Sequence, residues 1–195
     1  MVFNSVYEMI TPPHVLKKSW FVDYFDGDQL NDWWSIGAGT FEGLDAIDGG
    51  LKMTGAGNNW LLFGAKRHYE ETGCVFEAIT TAVDITSTTF TMGGTNTGGI
   101  TGNLIYAGVR TSTSANFTLE SRNGGTTSTG GSTTADLNSH RHKIELFSSN
   151  AKYTLDGILD VTMTTNLPAA RMQPLWFGQA VQNGASIRYF EAYNT

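Results

Sequence analysis

His142-Lys-Ile-Glu-Leu-Phe147 is followed by Ser149-Asn150 and then by Lys152-Tyr-Thr-Leu-Asp156-Gly157. Ile144 and Leu146 stand two apart, so an extended chain puts them on one face and their charged neighbours on the other. Ser149-Asn150 makes a tight turn and Asp156-Gly157 makes another. The stretch reads as a hairpin with a further strand to follow. The same signs recur outward from it. Asp26-Gly27, Asp48-Gly49, Asn123-Gly124 and Asn183-Gly184 are turn dipeptides, and the segments between them are rich in Val, Ile, Thr, Phe and Tyr. Strands are expected at 20–25, 41–46, 50–54, 59–63, 74–83, 87–92, 103–110, 114–121, 126–134, 140–147, 151–155, 158–163, 174–180 and 185–192. Many short strands between regular turns predict an all-β, two-sheet antiparallel sandwich. In Ser186–Tyr193, alternation puts Ile187, Tyr189 and Glu191 on one face and Phe190 and Ala192 on the other. No long helical period is present. Asp28–Trp34 has room for one helical turn.

The composition agrees. The chain has 195 residues, 40% hydrophobic, with 23 Gly and 4 Pro. A domain of this size buries roughly 70% of its surface, so its core needs neither metal nor disulfide. Charged residues are 15%, against a usual ~25%. Thr, Ser, Asn and Gly therefore make up much of the surface, which suits close contact with neighbours. The net charge of -6 gives no footprint for nucleic acid. Lys17-Lys18, Lys66-Arg67 and Arg141–Lys143 read as solvated faces. Cys74 is the single cysteine, so no internal disulfide forms. Within Cys74-Val75-Phe76 it reads as a buried small hydrophobe in a chain made in a reducing cytoplasm. Met1–Lys18 lacks the basic start and apolar run of a secretory signal, and no apolar stretch is long enough to span a bilayer.

Residues 1–19 contain Pro12-Pro13 and no alternation, and are expected to be an extended N-terminal arm to a domain of residues 20–195. Val2, Phe3, Tyr7, Met9 and Ile10 are its candidate partner-binding residues, placed to pack on the domain or on another chain. Residues 122–134, rich in Gly, Ser and Thr, read as a mobile hairpin, with a strand edge or contact loop as the alternative.

Three stretches together resemble the concanavalin A-like lectin/glucanase superfamily in its LamG-like branch. Trp20-Phe-Val-Asp-Tyr-Phe-Asp-Gly-Asp-Gln-Leu-Asn-Asp-Trp33-Trp34, followed by Asp48-Gly-Gly-Leu-Lys-Met, is similar to the family's opening strands. The hairpin quoted above resembles the family's hairpin ending in Asp-Gly. Ile187–Tyr193 resembles the last strand, which closes a sheet beside the first. The resemblance covers residues 20–193 and implies a concanavalin A-like jelly roll. Similar modules occur in virion proteins of tailed phages.

The chemistry is sparse. A glucanase of this superfamily carries two carboxylates on one strand face in a Glu-x-Asp-x-x-Glu pattern, which spaces them for retaining hydrolysis. That pattern is absent. Glu70 and Glu71 are adjacent and point apart, and Glu77 and Asp84 are out of phase. The chain is therefore expected not to be an enzyme, and no cofactor is implied. His140 and His142 share one strand face and could begin a zinc site, but no further ligands lie near, and an exposed polar face is the expectation. Asp23, Asp26, Asp28 and Asp32 are the densest acidic group. Asp23, Asp26 and Asp28 are the candidate calcium ligands, against plain turn and cap chemistry. Trp20, Trp33, Trp34, Trp60 and Trp176 could stack on sugars. Trp33, Trp34 and Trp60 are the candidate glycan or subunit contacts, with at most one of Trp33 and Trp34 facing the core. Trp176, within Leu175-Trp176-Phe177, reads as core.

These readings favour a virion structural protein, a capsid decoration (cement) or tail-associated subunit. It would bind major capsid or tail proteins, and itself as a homo-oligomer, through the arm and the sandwich surface. The alternative is a lectin-like carbohydrate-binding module for host-surface glycans. Neither nucleic acid nor membrane is an expected partner.

Overall fold

The computed structural model describes residues 18–25, 30–38, 41–44, 50–53, 59–64, 68–82, 89–97, 102–110, 115–179 and 185–195. No helix occurs among them. The strands are β1 (Lys18–Asp23), β2 (Ser35–Ala38), β3 (Phe41–Leu44), β4 (Leu51–Met53), β5 (Asn59–Phe63), β6 (Cys74–Ala82), β7 (Thr89–Thr95) and β8 (Leu104–Arg110). They continue as β9 (Phe117–Asn123), β10 (Thr126–Gly130), β11 (Ser139–Leu146), β12 (Ala151–Leu155), β13 (Ile158–Met163), β14 (Gln173–Gln179) and β15 (Ala185–Asn194).

They form two antiparallel sheets. An eight-stranded sheet runs β13-β12-β11-β6-β15-β4-β3, with β1 also paired to β15. A seven-stranded sheet runs β10-β9-β8-β7-β14-β5-β2. The expected closure of first strand on last is present, since Val22 lies opposite Glu191. The expected hairpin is present too, with Ile144 opposite Tyr153. The sheets pack face to face as a jelly-roll sandwich.

The core lies between them. Phe76, Ile144, Leu146, Tyr153 and Phe190 enter from the larger sheet, and Met92, Ile105, Ala107, Leu119 and Trp176 from the smaller. Phe190 meets Trp34 edge-on at 5.2 Å and Phe76 at 6.5 Å, so one aromatic cluster ties β6, β15 and the turn before β2 together. The smaller sheet is covered on its other face as well. Leu104, Tyr106, Leu175 and Phe177 form a second buried apolar group there, and all of β7 is buried.

Four details depart from the sequence reading. Ile187 does not share a face with Tyr189 and Glu191. A register shift between Ile187 and Tyr189 inserts one residue, so Ile187 joins Phe190 and Ala192 in the core. Residues 126–130, by contrast, form a strand at the sheet edge, within the strand expected at 126–134 and in line with the strand-edge alternative for 122–134. The turn before them is tight, with Gly124 and Gly125 at φ 57° and 90°. β2 was not expected. Lys18 and Ser19, read as the end of the arm, begin β1. The turn before β2 replaces the expected helical turn: the Asn31 carbonyl accepts the Trp34 N–H at 3.0 Å and its Oδ1 accepts the Trp33 N–H at 3.1 Å.

Candidate functional site

The outer face of the eight-stranded sheet gathers aromatic and charged side chains from four elements. On β1, Phe21 points into the core, which sends Trp20 and Val22 outward, and Tyr24 follows beyond the strand end. Trp20 is 44% exposed and Tyr24 56% exposed. Neither ring is loose. The Trp20 Nε1–H donates to Glu191 Oε1 at 2.6 Å. Tyr24 lies 5.5 Å from the Tyr189 ring, tilted by 51°. The Tyr189 hydroxyl donates to Glu191 Oε2 at 2.6 Å, so both oxygens of Glu191 hold aromatic neighbours.

Glu191 sits directly opposite Glu77 of β6, and Glu77 directly opposite Lys143 of β11. Cβ atoms of such pairs are about 5 Å apart. Two carboxylates side by side and mostly buried need counter-charge. Arg141 of β11 supplies it, bonding Glu77 through Nε while its Cζ lies 5.9 Å over the Tyr189 ring. Lys143 pairs with Glu145 at 3.1 Å. Burial pushes the Tyr193 hydroxyl up to about 12, with Glu191, Glu77 and Glu145 adding to it. Tyr189 rises further for the same reason, helped by its bond to Glu191. Both phenols stay neutral donors at ordinary pH. The result is two exposed rings beside a buried carboxylate pair and a guanidinium that remains half open to solvent.

A second polar cluster lies at another part of this sheet. His140 Nδ1 is 2.6 Å from Asp156 Oδ2, and its Nε2 is 2.8 Å from Asp136 Oδ1. Two residues on, His142 is fully buried and its Nδ1 meets the Tyr153 hydroxyl at 2.7 Å. Burial pushes the His142 pKa down to about 3. Asp160 accepts from the backbone N–H groups and hydroxyls of both Ser132 and Thr133. On the smaller sheet, Glu120 is buried with Arg122 at 3.4 Å, on a face where Thr91, Thr95, Leu104, Tyr106 and Leu175 are all buried.

The expected site residues are scattered. Trp34 is core, its Nε1–H donating to Asp23 Oδ2 at 2.8 Å. Trp33 is half-buried and stacks on Phe21 at 5.6 Å. Only one of the two is fully inside, as expected, but the other lies against the core. Trp60 falls in β5, with its side chain outside the described residues. Trp176 is core. Val2, Phe3, Tyr7, Met9 and Ile10 lie outside the described residues, as do Asp26 and Asp28. Asp23 is engaged by protein donors, accepting also from the Phe25 N–H at 2.8 Å. No cluster of three metal-ligating side chains occurs among the described residues. The His pair is not an exposed face: the ring of His142 enters the core against Phe117 and Tyr153. Sequence reading passed over Tyr24 and Glu191. The signal for Tyr24 was the outward phase of β1, legible only once Phe21 is known to be core, and that for Glu191 was the outward phase of β15 against the core residues Phe190 and Ala192.

The sequence matches no family model and no curated protein. The fold, however, is widely shared. A Crh5 transglycosylase superposes with TM-score 0.71 at 13% identity, covering 91% of this chain and 85% of that one. A Bacillus licheniformis β-glucanase gives TM-score 0.66 at 12% identity, covering 91% and 98%. The carbohydrate-binding module CBM66 from Bacillus subtilis gives 0.59 at 15%, covering 80% and 92%. At these identities the likeness establishes the fold alone, a two-sheet antiparallel jelly-roll sandwich of the concanavalin A-like kind. The expectation that the chain is not an enzyme does not stand. Glycoside hydrolases and a transglycosylase are among its structural neighbours. The expectation rested on a carboxylate motif confined to one strand, whereas folding sets Glu77 beside Glu191 from two strands.

Proposed function

We infer that this domain engages carbohydrate on the outer face of the eight-stranded sheet. The observation that carries it is the pair of exposed rings, Trp20 and Tyr24, anchored by Glu191 and Tyr189. Flat aromatic surfaces held rigidly suit the C–H faces of sugar rings, and they lose little entropy on binding. The Arg141 guanidinium beside them supplies hydrogen-bond donors for hydroxyls. The glucanase, the transglycosylase and the carbohydrate-binding module found among the neighbours support a glycan as the ligand class.

The test is a glycan array followed by calorimetry on the strongest hit. Trp20→Ala and Tyr24→Ala should each weaken binding on the order of tenfold or more, as loss of a stacking contact does. Trp33→Ala should leave it unchanged. No binding to any glycan, or equal binding by all variants, would refute the reading. The same samples are assayed for new reducing ends. If they form, Glu77→Gln and Glu191→Gln should each abolish them.

A second reading is favoured by a different observation. Leu137, Ile158 and Leu159 are exposed by 54%, 74% and 56%, which suits a protein contact. It makes the domain a virion subunit, decorating a capsid or tail and touching copies of itself. Light scattering of the full chain and of a chain lacking residues 1–17, which leaves β1 whole, decides it. An oligomer that becomes a folded monomer on truncation supports this reading. Two monomers remove self-association through the arm.

A further inference from the structure

Away from the aromatic face, one imidazole joins two separate segments of the chain. His140 of β11 meets Asp136, from the segment after β10, through Nε2 and Asp156, from the β12–β13 turn, through Nδ1. Ionised carboxylates only accept, so both ring nitrogens must carry hydrogen to make both bonds. Only the imidazolium does so. A neutral ring keeps one bond and turns a lone pair toward the other carboxylate. Each Asp is also fixed from its own side. Asp136 Oδ1 accepts the Asn138 N–H at 2.7 Å, and Asp156 Oδ1 accepts the Arg141 N–H at 2.8 Å. We propose that the Asp136–His140–Asp156 bridge is a proton-operated latch, closed when His140 is charged and released when it is neutral.

The surroundings leave the two carboxylates as the partners that matter. His142, on the same strand, is buried and neutral. β6 presents Thr80 opposite His140, and β9 presents the Phe117 ring at 4.8 Å. Asp160 of β13 is taken up by Ser132 and Thr133. Arg141 is committed to Glu77. Partial burial pulls the His140 pKa down, but the bonds from Asp136 and Asp156 outweigh it and the pKa is raised. The stabilisation is therefore fully present below the ordinary histidine value and is lost as pH rises through the raised one. The bond from His140 lowers Asp136. Asp156 is also lowered, because its bonds from Arg141 and His140 outweigh its burial. Both stay charged throughout that window. The latch holds the turn that leads into the exposed Ile158 and Leu159, and the segment that carries the exposed Leu137.

The experiment follows amide exchange across the 134–138 and 156–159 segments between about pH 5 and pH 9, corrected for the intrinsic rate, with the His140 ring titrated by NMR in parallel. Opening of both segments should rise on the order of threefold to tenfold as His140 deprotonates, the yield of a partly exposed charge-assisted bond. His140→Gln should open both at all pH values while β7 and β14 keep their protection. If that variant does not fold, Asp136→Asn should shift the ring titration down and shrink the step. A flat wild-type profile, a neutral ring at about pH 5.5, or a step unchanged in the variants would overturn the latch.

Discussion

His140 and His142 stand two residues apart on one strand with ring centroids 6.4 Å apart, yet their surroundings shift their pKa values in opposite directions. His140 points at carboxylates, while His142 points into the core with Nε2 buried and unpartnered among the described residues. The sign for His142 is clear. Its folded pKa is depressed, so the unfolded chain binds the extra proton, and stability falls as pH drops from 6.5 toward about 3. Between about pH 6.5 and pH 4.5 the loss should reach about 2 kcal/mol, read as a lower urea midpoint. His142→Asn should flatten that dependence, at a cost in stability at neutral pH. Cys74 follows the same logic. Burial raises its thiol pKa, so Ellman's reagent should react only with unfolded protein.

Strands depend on details that pattern alone does not carry. Gly93 of β7 has φ 158°, and a Cβ there would lie 2.1 Å from the Ile105 carbonyl oxygen of β8. Gly93→Ala must therefore push two neighbouring strands apart. It should cost on the order of 2 kcal/mol or more and lower the melting temperature by several degrees. Turns were the most legible elements. Asp156 and Gly157 take φ of 50° and 84°, the left-handed pair that an Asp-Gly hairpin needs. The break in alternation at Ile187 was not legible, because nothing in Ser186–Tyr193 marks where an extra residue is absorbed. The extra residue falls between the part of β15 that pairs with β4, Ala185 to Ile187, and the part that pairs with β1, from Phe190 on, where the register with β6 shifts.

For the whole molecule, the division between core and surface separates stability from function. Phe190 contacts Phe21, Trp34 and Phe76 at the centre of the sandwich. Phe190→Ala should cost about 3 to 5 kcal/mol and unfold the domain far below the wild-type temperature. Trp20→Ala, 44% exposed, should cost under about 1 kcal/mol while weakening the proposed glycan binding on the order of tenfold or more. Thermal melting alongside calorimetry distinguishes the two. If Trp20→Ala melts like Phe190→Ala, the indole is structural.

What the sequence determined by itself is the class of fold and most of its strands. Period-two alternation and Asp-Gly or Asn-Gly turns act over a few residues, and their physics is local. What only the tertiary structure decided is which side chains meet. Trp20 and Glu191 are separated by 171 positions and share a hydrogen bond. Glu77 and Glu191 lie on strands made neighbours by the sheet order. His140 closes on two aspartates because two separate segments converge on β11. Such contacts depend on strand order and register, which are set by burial of the whole core rather than by any one stretch of the chain.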